Sequence, residues 1–258
     1  LAAGKDEAYL SSLDLLVRLC PGERDAASYL RWVASLSVGE LYALIAQQRS
    51  PTGPPIPPDL PDQRDQYVAV LTAWNEQYFC TVDSAILDGL AAEAAALRAR
   101  VPGSDPAQLV EQTTCGVQVE PAPGLEQVLL VPQHHFRPWN LYGQARGVLI
   151  YHYPADVLTQ GPHDIPSGLL RLTQALSDPN RLRILRLLSG GPRSFTDVVR
   201  FSRLAKSTVH HHMVALRAAG LIRVHGVGTS GGADRYALRP DALGELSDRL
   251  GSYLKGEA

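Results

Sequence analysis

The sequence predicts a mainly α-helical chain with small β elements, an α+β protein built as a larger N-terminal part and a smaller C-terminal one. Three observations carry this. Apolar residues recur at three- and four-residue spacing through most of the first hundred positions and again beyond Ser167, which is the signature of amphipathic helices. Two short β-branched and aromatic runs, bounded by Pro and Gly, separate those regions. Charge is also unevenly divided: residues 1–166 carry 10 Lys+Arg against 19 Asp+Glu, whereas residues 167–240 carry 12 against 3. A chain of 258 residues is long enough for about two domains. No run approaches the ~18 apolar residues that read as a membrane span. Charged residues at Lys5, Asp6, Glu7, Asp14 and Arg18 break up what would be a signal-peptide core, so a cytoplasmic location with no membrane contact is expected.

The expected elements run as follows. Leu10, Leu13, Val17 and Leu19 mark a helix over 7–19, stopped by Pro21-Gly22. A second helical stretch covers 25–48. The segment from Pro51 to Pro61 holds six prolines and reads as a stiff extended connector. Helical pattern resumes at Arg64 and continues to Arg100, and most of Trp32, Tyr42, Trp74, Tyr78 and Phe79 are expected in a core. Gln127 to Pro132 and Gly147 to Tyr153 read as strands that could pair in a small sheet. Between them, Gln133-His-His-Phe-Arg-Pro-Trp-Asn140 gathers polar and aromatic side chains, so His134, His135, Arg137 and Trp139 are the candidate pocket for a small-molecule effector.

A boundary is expected at Gln160–Pro166, followed by a helix with Leu169, Leu172 and Leu176 on one face. Asp178-Pro179 reads as N-cap and first residue of the next helix, with Leu182, Leu185 and Leu188 leading to the stop at Gly190-Gly191-Pro192. Another helix spans 194–202. A turn then leads into a helix on which Val209, Met213 and Leu216 form the inward stripe, leaving Ser207, His210, His211 and Val214 outward. Leu221–His225 and Arg235–Leu238 alternate as strands around a glycine-rich wing, 226–233. A last amphipathic helix, 242–254, places Leu243, Leu246, Leu250 and Tyr253 along one side, a stripe that needs a partner and for which a second subunit is favoured over the chain's own core. The organisation expected is thus an N-terminal helical regulatory or dimerisation domain with a small β element (1–160), a winged helix-turn-helix (167–240) and a C-terminal helix (241–258).

Ala175-Leu-Ser-Asp-Pro-Asn-Arg-Leu-Arg-Ile-Leu185, Leu204-Ala-Lys-Ser-Thr-Val-His-His-His-Met213 and Leu216-Arg-Ala-Ala-Gly-Leu221 resemble the opening signature, recognition helix and exit of the ArsR family of winged helix-turn-helix regulators. The resemblance implies a homodimeric repressor of operator DNA, released by a small effector. It assigns the recognition-helix role to Lys206, Ser207, Thr208, His210 and His211, and places Arg217 near the DNA backbone. The residues themselves agree: Lys206, Ser207 and Thr208 stand at a helix N-terminus, which favours phosphate, while Ser207, His210 and His211 can offer hydrogen bonds to base edges. Arg223, His225 and Arg235 on the wing are expected to touch phosphate or the minor groove, and Arg203, in the turn where the family often has Gly, is expected to add a DNA-binding cation near the backbone.

Other chemistries find little support. Cys20, Cys80 and Cys115 are far apart and lack the paired spacing of a metal site, and the ligand sets of metal-sensing family members are missing, so reduced structural thiols and no metal are expected. His210, His211 and His212 follow one another on a helix and diverge by about 100° each, too far to face one ion. With no phosphate loop, nucleophile elbow or His-Glu-x-x-His motif, neither an enzyme nor a cofactor is expected. The leading function is a sequence-specific DNA-binding transcriptional regulator, a homodimeric repressor whose N-terminal part answers an effector or a partner. The alternative is a protein-interaction module that uses the winged helix as a scaffold.

Overall fold

The computed structural model describes residues 13–22, 25–48, 55–145, 147–155, 165–227 and 235–256. A 3-10 turn, Asp14–Leu19, opens the described chain, and the part of the first expected helix before residue 13 lies outside the described residues. The stretch expected over 25–48 is two helices, α1 (Ala26–Ser35) and α2 (Val38–Gln48). The break is built by Ser37 and Glu40: the Ser37 N–H and hydroxyl both donate to the Glu40 carboxylate, and the Glu40 N–H donates back to Ser37 Oγ. That reciprocal pair is a capping box, which starts a new helix wherever it occurs. Leu13, Leu16, Val33, Leu41, Ile45 and Leu60 fill the small core between these elements.

The expected helical region 64–100 resolves into α3 (Leu60–Gln77) and α4 (Ser84–Arg100), the latter capped by Asp83, whose carboxylate accepts from the Ala85 N–H. Sequence reasoning did not foresee α5 (Pro106–Thr113), although Asp105-Pro106 repeats the cap-and-proline signature recognised at 178–179, and Asp105 accepts from the Gln108 N–H. After α5 the chain turns through Cys115 and Gly116, both at positive φ, into β1 (Val117–Val119).

The two expected strands form as β2 (Gln127–Gln133) and β4 (Val148–Pro154), and they pair in parallel with Gln127 opposite Val148. A third strand, β3 (Leu141–Ala145), runs antiparallel to β4, giving the order β2-β4-β3. Central β4 is the buried strand, with Leu149, Tyr151 and Tyr153 at 1%, 0% and 2% exposure.

Beyond residue 165 the elements are α6 (Ser167–Leu176), α7 (Pro179–Ser189), β5 (Arg193–Ser194), α8 (Phe195–Ser202), α9 (Lys206–Ala218), β6 (Ile222–Val227), β7 (Arg235–Leu238) and α10 (Ala242–Lys255). Asp178 caps α7 by accepting from the Asn180 and Arg181 N–H groups, and those bonds hold its carboxyl below the usual range. Ser194 and Asp197 form a second capping box at α8. Ile184, Leu188, Val198, Val209, Leu216 and Ile222 are buried together. Each such side chain contributes on the order of 1.5–3 kcal/mol. Of the leucines that mark α7 in the sequence, Leu185 and Leu188 are buried beside Ile184, and Leu182 is exposed. The wing tip, 228–234, and the expected boundary at 160–164 lie outside the described residues.

One feature of the topology is non-local. The wing sheet has the order β1-β6-β7-β5, so a strand from the N-terminal half lies parallel along β6, with Val117 opposite Val224. Val117, Leu149 and Tyr151 belong to the same buried cluster as Leu172, Leu216 and Ile222. That core therefore draws on both sides of the 160–167 segment.

Candidate nucleic-acid interface

Helix α9 owes its orientation to the stripe foreseen in the sequence: Val209, Met213 and Leu216 are buried at 0%, 4% and 0% exposure. Its opposite side is thereby turned to solvent, and Lys206, Ser207, Thr208 and His211 are exposed there. Ala205 is the N-cap and supplies no side-chain acceptor. The first-turn N–H groups therefore point outward with the positive end of the helix dipole, a ready site for a phosphate oxygen. His210 is half-buried, its ring edge toward Phe195 with centroids 6.4 Å apart, and Val214 is half-buried as well, so both are less outward than expected. Arg217, on the last turn, is also half-buried.

The turn before α9 is made by Arg203, exposed, with φ 57° and ψ 24°. This is the left-handed region where glycine is at ease and other residues are strained. Its N–H donates to the Val199 carbonyl, closing α8. A cation at this corner sits one turn ahead of the exposed start of α9.

The wing residues meet different fates. Arg235 is exposed on β7, directly opposite Ser194 of β5, and the neighbouring Arg193 is exposed too, a cation sequence reasoning passed over. Arg223 is engaged: its Nε donates to the Glu111 carboxylate of α5 in a pair whose side chains are 24% and 13% exposed. His225 is half-buried, its Nε2 has no hydrogen-bond partner among the described residues, and burial, aided by Arg223, holds its pKa below the ordinary histidine value. Two further arginines counted toward the basic region are also structural. Arg181 donates to the Ala175 and Gln174 carbonyls, closing α6. Arg239, 4% exposed, donates to the Gly220 carbonyl and makes a bidentate pair with Glu245 of α10.

The expected effector residues share a loop between β2 and β3. His135 Nε2 lies 2.9 Å from the Tyr78 hydroxyl, and Arg137 turns back to donate to the His134 carbonyl and to approach its Nε2 at 3.1 Å. Trp139 is 40% exposed and Phe136 58%. This is an aromatic surface patch completed by Tyr78 and Trp74, whose rings are 5.6 Å apart. An open cleft of about 270 Å³ lies elsewhere, between α1 and α3, lined by Leu30, Arg31, Val68, Thr72, Asn75 and Glu76.

Among the described residues no group of three or more His, Cys, Asp or Glu side chains could hold a metal ion. Burial pushes the Cys115 thiol up, against the pull of Arg239, which disfavours the reactive thiolate. Among the described residues no helix is long and apolar enough to cross a membrane.

Residues 176–225 match the family model described as a helix-turn-helix domain. The transcriptional repressor SdpR of Bacillus subtilis (strain 168) is 36% identical over 52 residues, which is 20% of this chain, and the match spans 58% of that repressor's length. Among solved structures, an ArsR-like transcriptional regulator from Rhodococcus sp. RHA1 is 25% identical with a TM-score of 0.30, over 34% of this chain and 84% of that one. The homodimeric winged helix-turn-helix DNA-binding domain Mb0332 from Mycobacterium bovis is 22% identical with a TM-score of 0.29, over 39% of this chain and 91% of that one.

Proposed function

We propose that this chain, whose residues 176–225 match a helix-turn-helix family model, is a winged helix-turn-helix protein of the ArsR-family type, a sequence-specific DNA-binding transcriptional regulator that acts as a homodimeric repressor. The observation that carries the reading is the start of α9. Lys206, Ser207, Thr208 and His211 are exposed together on the side opposite a fully buried stripe, with Arg203 just ahead of them. Helix α9 enters the major groove, where Ser207 and His211 meet base edges and Lys206 and the first-turn N–H groups hold phosphate. Arg203, Arg217 and Arg235 add backbone contacts that strengthen binding without specifying sequence. Half-buried His210 supports the helix against Phe195 more than it reads bases.

The second subunit docks on the face that α6 and α10 share. Along α10, Leu243, Leu250 and Leu254 recur at helical spacing and are 53%, 40% and 74% exposed, and Leu170 of α6 is 44% exposed, apolar surface that a monomer leaves wet. Two such units present their recognition helices to half-sites about one helical turn apart. The N-terminal helices and the β2-β4-β3 sheet form the regulatory part, with the patch around His134, His135, Arg137 and Trp139 as the surface for an effector.

The test is selection of bound fragments from a random DNA library, followed by salt titration of the winning site. A two-fold symmetric consensus is expected, lost in the Lys206→Ala/His211→Ala variant while its melting curve stays that of the parent. Unchanged affinity in that variant removes α9 from the reading surface. No enriched site at low salt turns the reading toward a protein-interaction module.

A further inference from the structure

Strand β6, which ought to present the wing's cations to DNA, is covered along its outer edge by the N-terminal half of the chain. Val117–Val119 adds to it in parallel, and the Val224 N–H donates to the Gly116 carbonyl at 2.9 Å. From α5, Glu111 takes the Arg223 guanidinium, while Gln118 Nε2 donates to the other Glu111 oxygen at 3.0 Å and fixes the carboxylate in place. His225, two residues along and therefore on the same face as Arg223, feels both Glu111 and Glu120 from this side, and Arg223 and Arg235 from its own sheet.

We propose that α5 and β1 form an autoinhibitory clamp in which the Glu111 carboxylate occupies Arg223 in the place of a DNA phosphate, so that the wing contributes fully to binding only when the clamp is released. The inference rests on the reading of the winged helix as a DNA-binding unit. A carboxylate and a phosphate oxygen are alternative acceptors for one guanidinium, and the partly buried, hydrogen-bonded Glu111 is already seated. The clamp is also tied to the rest of the regulatory part: Asn140 Nδ2, at the end of the aromatic loop, donates to the Thr114 carbonyl at 2.8 Å, and Thr114 Oγ1 accepts from the Val117 N–H that begins β1. A ligand on that loop has a hydrogen-bonded connection to the strand that restrains the wing.

The experiment titrates the selected DNA site with salt against four full-length proteins: the parent, Arg223→Gln, Glu111→Gln and the double variant. Each phosphate contact adds about 0.9 to the slope of log affinity against log salt, which at 0.15 M amounts to about fivefold in affinity. Arg223→Gln is expected to match the parent within about twofold at an unchanged slope, because the clamp has already withdrawn that cation. Glu111→Gln is expected to bind about fivefold tighter with a slope steeper by about 0.9, and the double variant to fall back to the parent. An Arg223→Gln protein that loses about fivefold together with a unit of slope shows Arg223 on DNA in the intact chain and overturns the clamp, even if Glu111→Gln fails to fold. A folded Glu111→Gln protein with parental affinity and slope overturns it too. DNA binding by Glu111→Gln but not by the parent supports it, whereas no binding by any of the four rejects the DNA-binding reading on which it stands.

Discussion

Arg203→Gly should stabilise the fold and weaken DNA binding at once, because the same residue holds an unfavourable backbone conformation and an exposed cation. At φ 57° and ψ 24° Arg203 sits in the left-handed region while its N–H closes α8 on Val199. That conformation costs an L-residue roughly 1–2 kcal/mol. Glycine removes the cost but loses about 0.5–1 kcal/mol of unfolded-chain entropy on folding, leaving a net gain of about 0.5–1 kcal/mol. For a chain of this size the gain corresponds to a rise in Tm of about 1–4 °C. Loss of one phosphate contact lowers the salt slope by about 0.9 and affinity at 0.15 M by about fivefold. Thermal melts and fluorescence anisotropy on the selected site measure the two effects separately. Arg203→Ala separates their causes, since it keeps the strain and loses only the charge: it should bind like the Gly variant and melt no higher than the parent. A Gly variant that melts at or below the parent refutes the strain argument. One that binds with an unaltered slope removes Arg203 from the phosphate surface.

Three further outcomes are expected. At Gly116 (φ 118°) an added Cβ would stand 2.6 Å from the Ile222 carbonyl oxygen. Gly116→Ala should therefore destabilise by at least about 2 kcal/mol in chemical denaturation, and a near-neutral result would mean that β1 is not pinned to the wing sheet as described. Leu243→Glu/Leu250→Glu puts carboxylates on two exposed positions of α10 and should sediment as a folded monomer, against the dimer expected of the parent; a variant that still dimerises moves the interface elsewhere. Finally, the folded pKa of His225 lies below 6.5, so the unfolded chain binds more protons and stability falls as pH drops from about 6.5 through the folded pKa. His225→Gln should flatten that part of the stability-versus-pH curve, and an identical curve would assign the acid sensitivity to other groups.

What was legible in the sequence is what local physics decides. Asp178-Pro179 is an N-cap and first helical residue in the structure because an Asp side chain can take two first-turn N–H groups and Pro has none to offer. The inward stripe of α9 follows from spacing alone, and with it the exposure of Lys206, Ser207 and His211. The same rules, applied evenly, would have found more. Ser37-Val-Gly-Glu40 carries the capping box that divides 25–48, and Asp105-Pro106 announces α5. The run Leu182, Leu185 and Leu188 marks α7 without giving its inner face, since Ile184, Leu185 and Leu188 are buried and Leu182 is exposed.

The remainder was hidden because it depends on which distant segment supplies a partner. A count of 12 Lys+Arg in 167–240 treats every cation as available, yet Arg181 caps a helix, Arg239 is buried on Gly220 and Glu245, and Arg223 is held by Glu111 from 112 positions away. Nothing in the periodicity of Ile222–Val227 says that its outer edge will be taken by three residues of the N-terminal half. An open edge offers unpaired N–H and C=O groups to any strand that can reach it, and here the reach is provided by the turn at Cys115 and Gly116. Charge that opposes charge across the two halves of the chain is therefore more than a sign of DNA binding. The acidic half brings at least one carboxylate to the basic surface, so the net charge of the winged helix is an upper bound on the field that DNA would meet, and the arrangement of α5 decides how much of it is expressed.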